Sequence, residues 1–237
     1  VRLRVVAEFV TGFVTHGGAL CPTAPRVSSR MLVNCVAYQD GRKLADIAQS
    51  EIHDYLAKPG CFVWVALRDS NDEDLLEMQR QFGLHELAVE DARHGHQRPK
   101  LEEYGDELFA VLHVLELSGD EIHVGEVNIF TGPNFVLSVR NRTEQSFLGV
   151  RARCEREPEL LKHGSGYVLY ALMDAVVDRY FPVLEAIEAE LETLEERIFS
   201  GKSHRDNIEA MDYVKQKPRP VKHAAGPLPE AASKPYG

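Results

Sequence analysis

Gly83–Tyr104 reads GLHELAVEDARHGHQRPKLEEY. His85–Ala92 predicts one short helix, with Glu86, Glu90, Asp91, His85, His94 and His96 on or beside it. That density of possible metal ligands is unusual for a segment whose only task is to pack. Glu90 and Asp91 are adjacent, so on a helix they point about 100° apart. They can share an ion only with a further ligand from elsewhere in the assembly. His94 and His96 lie two residues apart, which is not helical ligand spacing, though a loop can present both. No HExxH pair is present, so the histidines do not form the zinc-hydrolase pattern. Arg98, Pro99 and Lys100 read as a loop-fixing group, the basic residues pairing with acids and the proline setting the entry to the next segment.

Outward from this segment the pattern alternates between strand and helix. Ser70-Asn71-Asp72-Glu73 supplies cap chemistry and an acidic first turn for a helix that ends at Gly83. Before it, Cys61–Leu67 (CFVWVAL) is a short apolar run suited to a buried strand. Leu32–Tyr38 reads as a strand and Lys43–Leu56 as a helix with Leu44, Ile47, Ile52 and Tyr55 near one face. Downstream, Leu108–Leu117, Ile122–Phe130 and Phe135–Arg140 read as three successive strands, the last two joined tightly at Gly132-Pro133-Asn134. Thr143–Glu155 and Glu157–Lys162 read as helical. The fold class is therefore α/β (α+β): a mixed β-sheet flanked by helices, followed by long C-terminal helices with a coiled-coil-like seam.

That seam is Met173, Val177, Tyr180, Leu184, Ile187, Leu191, Leu194 and Ile198, spaced alternately by four and three, which predicts helix-on-helix packing. From Ser165 to Phe199 such a helix runs about 50 Å, with Pro182 as the expected kink. Asp174 and Asp178 share one of its faces at i and i+4. A second helix is expected from Asp206 or Asn207; Pro218, Pro220, Pro227, Pro229 and Pro235 are expected to break it. The domain expectation is a disordered or non-native lead over 1–30, an α/β domain over 31–163, the long acidic helix and the start of the next over 164–217, and a Pro-rich broken tail over 218–237.

The 237 residues, 44% of them hydrophobic, are enough for one sizeable core. The formal net charge of -10 argues against nucleic acid, which needs a basic face. Cys21, Cys35, Cys61 and Cys154 form no CxxC pair and read as small buried hydrophobes in a reducing compartment. No apolar stretch reaches the roughly 18–20 residues that span a bilayer. No phosphate loop, dinucleotide fingerprint or nucleophile elbow occurs, and nothing marks the chain as an enzyme.

Two stretches together, the run ending in HQRPK at 96–100 and YVLYALMDAVVDRYFPVL at Tyr167–Leu184, resemble the cytoplasmic domain of the CorA family of magnesium and cobalt transporters. The resemblance covers roughly Met31–Gly201. It implies a homopentamer on the cytoplasmic face of the inner membrane, joined to the membrane through helices that this sequence lacks. It also implies weakly bound, regulatory Mg2+, with Co2+ or Ni2+ as alternatives, held between subunits by Glu90, Asp91 and Asp174, with Asp178 one turn on. A further carboxylate is expected from a helix beyond Gly237. The family's Gly-Met-Asn pore motif is absent from these residues, so transport is implied for a parent protein. Like charges about 6 Å apart repel by about 3 kcal/mol at an effective dielectric of 20. Cations that cancel this repulsion would favour a closed ring. Two other readings stand beside this one: a coiled-coil interaction module with no metal role, and a metal-dependent hydrolase built on the histidines and acids.

Overall fold

The computed structural model describes residues 31–200, 211 and 214–226. Within them, seven strands form one sheet: β1 (Met31–Gln39), β2 (Arg42–Asp46), β3 (Cys61–Arg68), β4 (Lys100–Tyr104), β5 (Glu107–Ser118), β6 (Glu121–Gly132) and β7 (Phe135–Asn141). Their order is β2-β1-β3-β7-β6-β5-β4. Of these strands only β3 and β7 pair in parallel, Val63 opposite Phe135 through Arg68 opposite Arg140; the sheet is mixed, as expected.

Alternation along the strands sends side chains to two cores. Cys61, Val63, Val65 and Leu67 of β3 join Cys35, Ala37, Phe109, Val111, Leu137 and Val139 on one face. Phe62 and Trp64 join Val36, Tyr38, Ala110, Leu112, Val127 and Ile129 on the other. With both faces covered, a central strand must be apolar throughout, which is the reason for the unbroken CFVWVAL run.

Three short helices cover the first face: α1 (Ile52–Leu56), α2 (Asp72–Phe82) and α3 (Glu86–His94), through Ile52, Leu75, Met78, Phe82, Ala88, Val89 and Ala92. Asn71 caps α2: its side chain accepts from the Asp74 N–H at 2.8 Å, and Asp74 accepts from the Asn71 N–H at 3.0 Å. Gly83 ends α2 in the left-handed conformation, φ 73°, which costs a residue without a Cβ least. The second face carries α4 (Leu148–Arg156), α5 (Pro158–Leu161), α6 (Ser165–Asp178), α7 (Tyr180–Phe199) and α8 (Pro218–Ala225), through Val150, Leu161, Leu172, Val176, Tyr180, Leu184 and Val221 among others.

Three expectations are corrected. Lys43–Leu56 is not one helix: β2 pairs antiparallel with β1, and a 3-10 turn at Gln49–Glu51 leads into the five-residue α1. The overlooked signal is Asp40-Gly41, both at positive φ (52° and 74°), the two-residue hairpin chemistry whose twist suits antiparallel strands. The long helix is present with an interruption as expected, but the interruption falls at Arg179 rather than at Pro182. Arg179 separates α6 from α7, its N–H bonding Val176 three residues back at 3.2 Å. Pro182 lies three residues further on, but a proline removes the bond to residue i−4 and crowds that carbonyl; here that residue is Asp178, where α6 ends. Finally, Pro218 and Pro220 do not prevent a helix. The helical run is interrupted at Lys217 and α8 begins on Pro218, so both prolines fall in a first turn, whose N–H groups have no intrahelical acceptor. The expectations about residues 1–30, the helix start at Asp206 or Asn207, and Pro227, Pro229 and Pro235 lie outside the described residues.

The seam residues Met173, Val177, Tyr180, Leu184, Ile187 and Leu194 are buried, most of them against this chain's own sheet. Only Ile198 at its far end is well exposed. No helix among the described residues is long and apolar enough to cross a membrane.

Candidate metal site

Helix α3 hangs on the sheet by Ala88, Val89 and Ala92, which turns Glu90 outward and leaves Asp91 half-buried. After α3 the chain passes through a buried Pro99 into β4. β4 pairs with β5 in a register that sets Lys100 opposite Val111. This fixes the Lys100 ammonium 2.6 Å from Asp91 Oδ2 and 2.8 Å from Glu102 Oε2. It also lies 5.8 Å from the centre of the Phe109 ring. Tyr104 donates its hydroxyl to the same Glu102 oxygen at 2.9 Å. Burial alone would lower the Lys100 ammonium, but its bonds to the two carboxylates outweigh that and hold it above the usual lysine value.

The other acidic pair sits on α6. Arg153 donates to Asp174 at 3.0 Å and to the Ala171 carbonyl at 3.3 Å. Asp178, one turn on, lines a cleft of about 580 Å³ with Arg153, Arg179, Leu115 and Pro182. Within one chain the structure brings Asp174 and Asp178 onto one helix and Glu90 and Asp91 onto another. It does not bring the two pairs together, because α3 and α6 pack on opposite faces of the sheet.

The three histidines diverge. His85 accepts from the Leu87 N–H and so caps α3, its ring stacked 4.2 Å from that of Tyr104. His94 Nδ1 meets the Glu90 carbonyl at 2.9 Å. His96 Nε2 meets the Arg142 guanidinium across the sheet end. Among the described residues no three His, Cys, Asp or Glu side chains are grouped to hold a metal. The acids of the α3–β4 region, Asp91 and Glu102, offer carboxylate oxygens, the ligand type that hard cations take. Lys100 as a partner of acids was legible from HQRPK. Arg153 as the partner of Asp174 was not: the two are 21 residues apart, and only tertiary packing joins them.

The chain resembles known proteins in the same sense. It is 35% identical to the putative metal ion transporter YfjQ of Bacillus subtilis over 56% of this chain and 41% of that protein. It is 28% identical to the cobalt/magnesium transport protein CorA of Thermotoga maritima over 73% of this chain and 50% of that protein. It thus spans about half the length of the curated relatives it matches. Its fold superposes on full-length CmaX with a TM-score of 0.68 at 17% identity, covering 85% of this chain and 62% of that one. Residues 60–223 match the model of the CorA-like Mg2+ transporter protein family. The chain belongs to that family.

Proposed function

We propose that this chain is the cytoplasmic, cation-responsive part of a divalent-cation transporter, and that it assembles as a ring, a pentamer in the parent protein. The observation that carries this reading is the placement of the two acidic pairs on opposite faces of one domain. In a cyclic oligomer each subunit sets one surface against a different surface of its neighbour. That arrangement can bring Glu90 and Asp91 of one copy to Asp174 and Asp178 of the next. Magnesium suits such a site because one or two carboxylates and several waters satisfy it; cobalt and nickel remain in the same class, since oxygen ligands do not separate them. The chain's own part is to sense and assemble, not to catalyse. The coiled-coil module loses support because its seam is largely buried in the chain's own core. The hydrolase loses support because the histidines point apart.

Sedimentation velocity of the 237-residue chain, with and without millimolar magnesium, tests the proposal beside an Asp91→Ala, Asp174→Ala double variant. Magnesium-dependent association that the double variant loses is expected. Association indifferent to magnesium would sink it and return the interaction module.

A further inference from the structure

Among the described residues, Lys100 is the cation that the chain itself places against the α3 acid. Its ammonium touches an Asp91 oxygen and a Glu102 oxygen at 2.6 and 2.8 Å, the arrangement of a cation shared by two carboxylates. Its position is built. The residue opens β4, is locked in register against Val111 of β5, and has a buried proline before it. The Phe109 ring lies on another side, and Glu102 is itself held by the Tyr104 hydroxyl. A divalent ion approaching Asp91 therefore meets a positive charge already in contact with the carboxylate.

We propose that Lys100 is a tethered counter-ion that competes with divalent cations for Asp91 and so sets the affinity of the site. This deepens the cation reading above and rests on it. The second acceptor makes the competition workable. When a metal takes Asp91, the ammonium keeps Glu102 and is not left without a partner. Binding is thus an exchange of partners, and the metal gains only the difference between its own attraction to Asp91 and that of Lys100. An ammonium is a compact point charge with three rotatable donors, so it can swing away without rebuilding the strand. Arg153 stands in a related position against Asp174, but its fork also grips the Ala171 carbonyl, which makes it the harder of the two to move.

The test is a magnesium chloride titration of the full chain, followed by the NMR signal of the Asp91 carboxyl carbon. Lys100→Met keeps the stem and removes the charge. Its magnesium midpoint should fall about two- to fivefold, on the order expected for one half-exposed charge pair. Lys100→Arg keeps the charge and should not lower the midpoint as Lys100→Met does. Glu102→Gln leaves Asp91 as the remaining charged partner of Lys100 and should raise the midpoint about two- to threefold. If Lys100 only braced the site, Lys100→Met and Glu102→Gln would both weaken binding. A Lys100→Met midpoint unchanged or raised, with the parent chain responding normally, overturns the counter-ion role alone. No magnesium response at Asp91 in any of the proteins overturns the cation reading together with it.

Discussion

The two faces of the sheet are held by different kinds of information. On the short-helix face, α2 and α3 carry their own instructions: the Asn71–Asp74 cap, the Gly83 stop and the His85 cap all act within a few residues. On the long-helix face the elements are fixed by partners far away in sequence. Tyr38 donates to Glu155 at 2.9 Å, Arg151 reaches Asn34 at 2.8 Å, Ser165 reaches the Gly132 carbonyl at 2.6 Å, and Tyr180 donates to the His113 carbonyl at 2.7 Å. On the first face, α2 and α3 can be read from sequence almost residue by residue, whereas the segment leading into α1 was not. The second face cannot be read this way, although it carries the longer helices and the stronger periodicity.

Two left-handed glycines sharpen this contrast most strongly. At Gly83 a Cβ would meet nothing within 4 Å, so Gly83→Ala should cost only the conformational penalty, about 1–2 kcal/mol. At Gly41 (φ 74°) a Cβ would fall 2.1 Å from the Pro158 carbonyl oxygen. There Gly41→Ala meets the same penalty plus a clash that forces the β1–β2 hairpin away from α5, and should cost about 4 kcal/mol or more. Urea unfolding of both variants measures the difference. Equal losses would mean that the hairpin is not clamped by α5.

The next contrast is between a buried hydrogen bond and a helix cap. Tyr180→Phe leaves the packing and removes a hydroxyl from a fully buried site. The His113 carbonyl loses that partner, for about 1.5–2 kcal/mol. Asn71→Ala removes a partly exposed cap and should cost about 1 kcal/mol. A cap loss larger than the tyrosine loss would reverse the ranking of the two faces.

The same division explains what the sequence revealed of fold and site. The sheet was legible because β3, β5, β6 and β7 are apolar runs with turn residues between them. β4 was not, because KLEEY offers only Leu101 and Tyr104 as apolar residues, and its strand form comes from pairing with β5. The Asp40-Gly41 turn was written plainly in the sequence, but an apparent helical spacing of Leu44, Ile47, Ile52 and Tyr55 hid it. At the site, Glu90, Asp91, Lys100 and Glu102 lie close together along the chain and could be grouped by inspection. That α3 and α6 lie on opposite faces depends on strand order, which no local pattern carries.

The smallest expected effect concerns pH and acts where α4 meets β1 on the long-helix face. Glu155 on α4 is largely exposed. Burial by itself would raise its carboxyl, but the bonds from Arg151 and the Tyr38 hydroxyl outweigh burial and hold it below the usual glutamate value. A carboxylate depressed in the folded chain contributes stability that is present above its unfolded value, about 4.3, and lost as pH falls through its lower folded value. The urea midpoint of the parent chain should therefore drop as the solution is acidified below about pH 4.3. Part of that drop should vanish in Glu155→Gln, which still accepts from Tyr38 but cannot titrate. Asn71 itself carries no charge, so Asn71→Ala should shift the acid curve down without changing its slope. If Glu155→Gln leaves the slope unchanged, the Tyr38–Glu155–Arg151 cluster holds α4 to β1 by shape, and the distinction between the faces rests on packing rather than on charge.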